Sequence, residues 1–348
     1  MSEGHCVSDP MRFWEYIFRR ILLALVTLVG LSIVIFYLSR ILPSDPGRLA
    51  LGPYATSQQV AAYDHQLGLD KPIYEQYFLY VWNFIHGQWG QSIISHHNVF
   101  LDVEYYFPST FELVTISIIL TALIGVPLGV FAASRRGGSS SALVRLLWII
   151  GVAIPPFATG IILQLIFGYY LNILPVATQI MGPLPTRITG MVLVDSLLTL
   201  NWPAFGSSLQ HLLLPEIALS ITGVGQIAQL TYAGMLDEKS EDYYDALIAM
   251  GANPRSLNFK YALRPALVPV LTVLGLLYAS LVAYAFLVES IFSWGGLSQY
   301  AVTAMETKDF NAIVATVLII GLFYVVLNFA VDVVLGYVDP RMRLGGAE

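Results

Sequence analysis

The sequence predicts an all-α polytopic membrane protein with six transmembrane helices, and three observations carry that expectation. Six apolar runs, at 17–38, 111–133, 143–171, 212–235, 266–292 and 312–335, each approach or exceed the roughly 20 residues that a bilayer crossing needs. Only 11% of the 348 residues are charged, against about 25% in a soluble domain, and the mean hydropathy is +0.69. Prolines at Pro127, Pro155, Pro156, Pro215 and Pro269 interrupt several runs. That is tolerable only where freed backbone groups face protein or a wet cavity, so such helices suit a transporter better than a plain anchor.

The first run follows Arg19 and Arg20, yet it is too long for a signal-peptide core and no small-residue cleavage site follows it. It is therefore expected to be a retained span. The single cysteine, Cys6, excludes an internal disulfide framework and precedes every apolar run, so it is not a lipid-attachment site after a leader. The net charge of −6 says little, because the placement of lysine and arginine decides membrane orientation. Twelve of the 17 basic residues flank one set of span ends: Arg12, Arg19, Arg20, Arg135, Arg136, Arg145, Lys239, Arg255, Lys260, Arg264, Arg341 and Arg343. Arg40, Arg48, Lys71, Arg187 and Lys308 fall on the other side. Both termini are then expected to be cytoplasmic.

This divides the chain into a cytoplasmic segment 1–16, a first span 17–38, an external helical segment 39–110, a five-helix core 111–343 with a cytoplasmic loop 236–265, and a tail 344–348. In the external segment, Thr56 and Gln59 form a capping box for a short helix ending at Gly68. Pro72 opens a second helix, with Ile73, Tyr77, Val81 and Phe84 at helical spacing, that closes near Gly87. Its aromatic density fits either a helix in the membrane interface or a small cap packing on its own apolar face. The loop 172–210 is also external, and its apolar segment 188–200 is too short to span, so a re-entrant or interfacial piece is expected there.

No phosphate-binding loop is present, nor even a Gly-Lys pair. Neither Gly-x-Ser-x-Gly nor His-Glu-x-x-His occurs. His96 and His97 are adjacent and so diverge, which reads as a solvated loop rather than a metal site. The "GVGQ" at 223–226 lies inside a span, where it permits close helix packing rather than nucleotide binding. Glu112 and Glu216 are expected near outer span ends within reach of water, with Glu112 serving a helix start three residues past Ser109. Glu289 lies near the outer end of the fifth span and Asp332 near the inner end of the sixth. None is clearly at the midplane and no basic partner is evident, which disfavours a proton-coupled carrier. No convergent catalytic set favours a membrane-embedded enzyme either.

The stretch "SEDYYDALIAMGANPRSLNFKYALRPALVP", 240–269, breaks the apolar pattern. Glu241 and Asp242 suit the positive end of a helix dipole. Gly251 sits where a helix stops, and Asn253-Pro254 caps and opens a second helix. The expected result is a capped helix–turn–helix on the cytoplasmic face, the largest feature there.

This stretch resembles the coupling loop of integral membrane permeases of ATP-binding-cassette importers, an EAA-like triplet, three residues, then glycine. Here Asp245-Ala246-Leu247 precede Gly251 at that interval. The Asp242-Tyr243 before the triplet and "LRPALVPVLT" at 263–272 resemble the B-type subunit of the dipeptide/oligopeptide permeases. Blocks in family order extend the likeness over nearly the whole chain: "LPSDPGRLALG" (42–52), "LGLDKPIYEQY" (67–77), "PSTFEL" (108–113), "GVPLGVFAASRRG" (125–137), "IPPF" (154–157), "HLLLPEIAL" (211–219), "VESIFSWGGL" (288–297) and "DPRMR" (339–343). Departures are Gln229 and Tyr232 where the family has arginines, Ile248 and Met250 where it has basic residues, and Gln88 in place of an aspartate.

The resemblance implies a type I importer permease fold in a prokaryotic plasma membrane. It also implies a non-catalytic subunit paired with a second permease, two cytoplasmic ATPases that bind ATP and Mg, and an external substrate-binding protein. Peptides are the implied cargo, with oligosaccharide or nickel as the alternative. No cofactor, metal or nucleic acid is expected on this chain. Tyr243, Tyr244, Asp245, Ala246, Ile248, Met250, Gly251 and Ala252 become the candidate ATPase-coupling helix, its apolar members serving as anchors. Glu289, Phe292 and Trp294 become candidates for the translocation path. Glu289 carries two readings: a carboxylate in a wet cavity meeting a cargo amino group, or an acid bonded to the turn around Ser293.

Overall fold

The computed structural model describes residues 10–41, 54–66, 71–135 and 138–338. Cys6, Arg48, Arg136, Arg341, Arg343, the helix end at Gly68, the blocks 42–52 and 339–343 and the tail lie outside the described residues. Among the described residues there are helices and no strand, only an isolated antiparallel bridge between Gln91 and Asn98.

Among the described residues, five helices are long and apolar enough to cross a membrane. They are α1 (Pro10–Ile41), α4 (Val99–Ser134), α8 (Trp202–Lys239), α11 (Leu263–Ile291) and α13 (Phe310–Val338). The sixth expected span, 143–171, is not continuous. It is the pair α5 (Ser139–Ala153) and α6 (Pro156–Leu163), the latter running on as a π turn Gln164–Tyr170, and the two halves are bent by 103°. The cause is Pro155-Pro156: proline disfavours the α conformation in the residue before it and supplies no N–H to the helix ladder.

The second span begins earlier than its apolar run. Asn98 caps α4, accepting the Phe100 N–H at 3.0 Å, and the helix runs through Pro108. Its first three turns carry polar residues that tertiary contacts absorb. Asp102 is buried and accepts hydrogen bonds from Ser95 Oγ at 2.6 Å and Tyr300 Oη at 2.9 Å. Ser109 is therefore helix interior and no cap, which removes the expected helix-start role of Glu112.

The core forms where α4, α8 and α11 meet, around Leu113, Val114, Leu214, Leu219, Leu281 and Val288. The 223–226 segment serves close packing as expected. A Cβ on Gly225 would stand 2.8 Å from the Trp148 carbonyl oxygen of α5. At one end of the bundle Arg20 of α1 pairs with Asp332 of α13 at 3.1 Å, so Asp332 does have a basic partner, one that linear sequence did not reveal.

The segment between α1 and α4 contributes α2 (Ser57–Gln66) and α3 (Ile73–Ile85). The Thr56–Gln59 box forms, with the Thr56 N–H donating to Gln59 Oε1 at 2.9 Å and the Gln59 N–H to Thr56 Oγ1 at 3.3 Å. The turn after α3 is held by Trp89, whose ring stacks on Phe84 at 4.5 Å and whose Nε1 donates to the Phe84 carbonyl at 2.7 Å. Two short helices complete the described fold: α7 (Val192–Leu198) and α12 (Leu297–Thr307).

Candidate functional site: the coupling loop and the external turn

The inner site begins with α9 (Asp242–Ala249), separated from α8 only by Ser240 and Glu241. Gly251 ends it at φ +77°, with no atom within 4 Å of where a Cβ would sit. The corner is thus set by backbone conformation alone, a left-handed one that glycine adopts freely. Asn253 Oδ1 then accepts the Arg255 N–H at 2.9 Å and starts α10 (Pro254–Ser256), which passes through a π turn, Leu257–Ala262, into α11. One helix–corner–helix unit is therefore joined without a gap to two spans.

Its residues divide by exposure. Ile248 is 52% and Met250 77% exposed, while Asp245, Ala246 and Gly251 are also exposed. Tyr244 is not the surface anchor expected. It is buried in a cluster with Val130 and Ala133 of α4, Met235 of α8 and Ala262 and Ala266, with Ala252 packed against it. Helical geometry gives the reason, since residues one apart diverge by 100° and Tyr243 and Tyr244 cannot share a face. Tyr243 is 41% exposed and bridges elements, donating its one hydroxyl proton to Glu238 Oε2 at 2.5 Å with its oxygen 3.0 Å from the Tyr261 carbonyl. Burial of the phenol, then the Glu238 carboxylate, pushes its pKa up to about 12, so it remains a neutral donor. Nearby, Lys239 Nζ donates to the Ala133 carbonyl at the end of α4 at 3.0 Å.

The outer candidates lie inside the chain. Glu289 is 0%, Phe292 1% and Trp294 1% exposed, so none of the three offers a surface to cargo in this chain. Glu289 Oε2 instead accepts the Gln299 N–H in the first turn of α12 at 3.0 Å, and Trp294 Nε1 donates to the Ser109 carbonyl at 3.3 Å. Of the two sequence readings of Glu289, bonding to the turn describes this geometry, with Gln299 rather than Ser293 as partner. Glu112 and Glu216 are also buried rather than wet. Glu112 Oε1 accepts the N–H groups of Leu193 at 3.0 Å and Val194 at 3.2 Å, serving the start of α7, and Glu216 accepts Ser117 Oγ at 2.5 Å. A helix start with unpaired N–H groups is where a carboxylate is favoured.

Sequence reasoning missed the clamps around this turn. Gln164 Nε2 donates to the carbonyls of Val176 and Ile291, both at 2.8 Å, and the Thr178 N–H donates to the Phe292 carbonyl at 2.9 Å. Asp195 collects four hydrogen bonds, from the N–H groups of Ile188, Thr189 and Gly190 and from Thr189 Oγ1, at 2.7–3.1 Å. Asp309 accepts Ser92 Oγ at 2.6 Å and the Ile93 N–H at 2.7 Å while capping α13 through the Ala312 N–H. Only Asp309 left a legible signal, an aspartate three residues ahead of an apolar run.

Comparison with known proteins fits this architecture. The family described as "Binding-protein-dependent transport system inner membrane component" matches residues 125–344, and its N-terminal companion matches 13–114. The chain is 35% identical to the probable D,D-dipeptide transport system permease protein DdpB of Escherichia coli K12, covering 97% of this chain and 100% of that protein. It is 34% identical to the di/tripeptide transport system permease protein DppB of Pseudomonas aeruginosa, over 94% and 98%. It is 31% identical to the glutathione transport system permease protein GsiC of Escherichia coli K12, over 94% and 99%. Among solved structures, an inward-facing form of the MetNI methionine ABC transporter covers 75% of this chain and 98% of its own, at 17% identity and a TM-score of 0.48. With one family model spanning the bundle, a second spanning the segment before it, and relatives aligned end to end, the chain belongs to the binding-protein-dependent transport system inner membrane components.

Proposed function

We propose that this chain is the translocation subunit of an ATP-driven importer of peptides. In this reading a second permease subunit pairs with it, an external binding protein delivers cargo, and two partner subunits bind and hydrolyse ATP with Mg. The chain itself performs no catalysis. The observation that carries the reading is the coupling unit: Ile248 and Met250 stand exposed beside a corner fixed at Gly251, while Tyr244 on the next face locks the same helix to α4, α8 and α11. A helix exposed on one face and rooted on the other passes a push at its surface into the spans. Peptide cargo rests on the printed names of the full-length relatives. Cytoplasmic termini rest on the basic asymmetry and on the Arg20–Asp332 pair, which ties the start of α1 to the end of α13.

The test is reconstitution of the complex in proteoliposomes. Met250→Asp is expected to insert and fold normally and to lose ATPase docking, because a residue this exposed contributes little to the chain's own stability. Wild-type vesicles are expected to accumulate dipeptides or oligopeptides on ATP addition and to ignore oligosaccharides and nickel. Uptake abolished by collapsing the proton gradient at constant ATP would overturn the reading.

A further inference from the structure

Helix α3 has three faces, and one of them has no packing partner from another helix among the described residues. The first packs on α1: Tyr77 Oη and Ser32 Oγ share a hydrogen bond at 2.8 Å, and the Phe36 ring lies 5.4 Å from Tyr77 and 5.5 Å from Tyr80. A second face, by helical spacing, carries the polar Gln76 and Asn83, while Glu75 falls about 100° away from Gln76, beside Trp82. Between them runs a stripe of Tyr74, Phe78, Trp82 and Ile85, exposed to 61%, 70%, 64% and 74%.

The contacts with α1 set the depth of this stripe. Few residues of the apolar stretch Ile17–Tyr37 of α1 are buried within the chain, so it leaves a long apolar surface for a bilayer or a neighbouring subunit. In the apolar run 17–38, Phe36 sits two residues inside the outer end and Ser32 six residues inside. At 1.5 Å per residue, the Ser32 contact lies about 9 Å below the end of the run. Interfacial helices bury their apolar face roughly 5–10 Å into the headgroup and acyl boundary. The stripe therefore continues the apolar surface of α1, at the level where tryptophan and tyrosine concentrate.

We propose that α3 is an outer-leaflet interfacial anchor, with Tyr74, Phe78, Trp82 and Ile85 seated among phospholipid headgroups and upper acyl chains, and that the external segment is held to the bilayer rather than offered to a soluble partner. The rigid mounting fits that role, because Trp89 fastens the far end of α3 to α4 by a T-shaped contact with Phe100 at 5.1 Å. The helix cannot swing away from the membrane plane without breaking contacts at both ends.

The experiment uses the assembled transporter in liposomes, with nitroxide labels on single cysteines in a Cys6→Ser background. Phe78→Cys and Trp82→Cys are expected to relax with dissolved oxygen more than with a water-soluble nickel chelate, and Asn83→Cys is expected to show the reverse. Adding the external binding protein should leave all three unchanged. Nickel access dominating at Phe78 and Trp82, or oxygen access lost there on adding the binding protein, overturns the proposal in favour of a protein-docking face. Should a cysteine variant fail to assemble, brominated-lipid quenching of wild type against Trp82→Phe decides the same point: quenching assignable to Trp82 supports the anchor, and its absence refutes it. The outcome is independent of cargo identity, so it does not stand or fall with the proposed function.

Discussion

Tyr243 on α9 donates its phenolic proton to Glu238 at the end of α8, 2.5 Å away, and lies 3.0 Å from the Tyr261 carbonyl at the foot of α11. One side chain thus ties the coupling helix to two spans. Its neighbour Tyr244 holds the same helix by packing, so the hydroxyl can be removed without releasing α9. Tyr243→Phe is expected to cost about 1–2 kcal/mol of local stability, in keeping with a hydrogen bond to a charged group. ATP hydrolysis should persist while transport per ATP falls, measured as labelled cargo accumulated against phosphate released.

Gly251 tests the corner itself. Left-handed backbone costs a non-glycine residue about 1–2 kcal/mol, with asparagine the best tolerated, and a β-branched residue suffers most. Nothing crowds the position, so the expected order of coupling is glycine, then asparagine, alanine and valine. Reconstituted Gly251→Val should hydrolyse ATP without transport. Equal coupling across the series would show that the corner does not transmit motion.

Glu289 separates a structural acid from a cargo contact. Glu289→Ala leaves the part-buried Gln299 N–H without its acceptor, a loss of about 1–3 kcal/mol, expected as a lower unfolding temperature. Glu289→Gln retains an oxygen for that bond and should keep the fold and import cationic and neutral cargo in wild-type ratio. Selective loss of cationic cargo in the glutamine variant would instead assign the carboxylate to the path.

Asp195 predicts a pH dependence at the start of α7. Burial alone would raise its pKa, but the bonds from Thr189, Ile188 and Gly190 outweigh it and hold the carboxyl below its ordinary value. A depressed folded pKa contributes stability that is present above the unfolded value, about 4, and is lost as pH falls through the lower folded value. Asp195→Asn should therefore be less stable than wild type near neutrality. Thermal unfolding across an acid titration should show that gap closing once the wild-type carboxyl is protonated.

Much of the fold was legible because its signals are local. Spans announce themselves by about 20 apolar residues in a row, and Gly251, Asn253-Pro254 and Thr56–Gln59 act within a few residues of chain, so their turns and caps appear where the pattern places them. Where a helix begins inside polar sequence, the local signal fails. Residues 99–110 lie ahead of the apolar run, and their helix is completed when Tyr300, almost two hundred positions away, supplies Asp102 with a partner.

By itself the sequence determined the helical class, the apolar spans and the position of the corner at Gly251, all consequences of periodicity and capping along the chain. Only the tertiary structure decided the occupants of the faces. It turned Tyr244 inward and left Met250 outward, made Glu289 and Glu112 internal acceptors for helix starts, paired Asp332 with Arg20, and bent the third span by 103°. The physical reason is that a buried polar group must find a partner, and in this chain the partners come from elements far apart in sequence, where no local pattern records them.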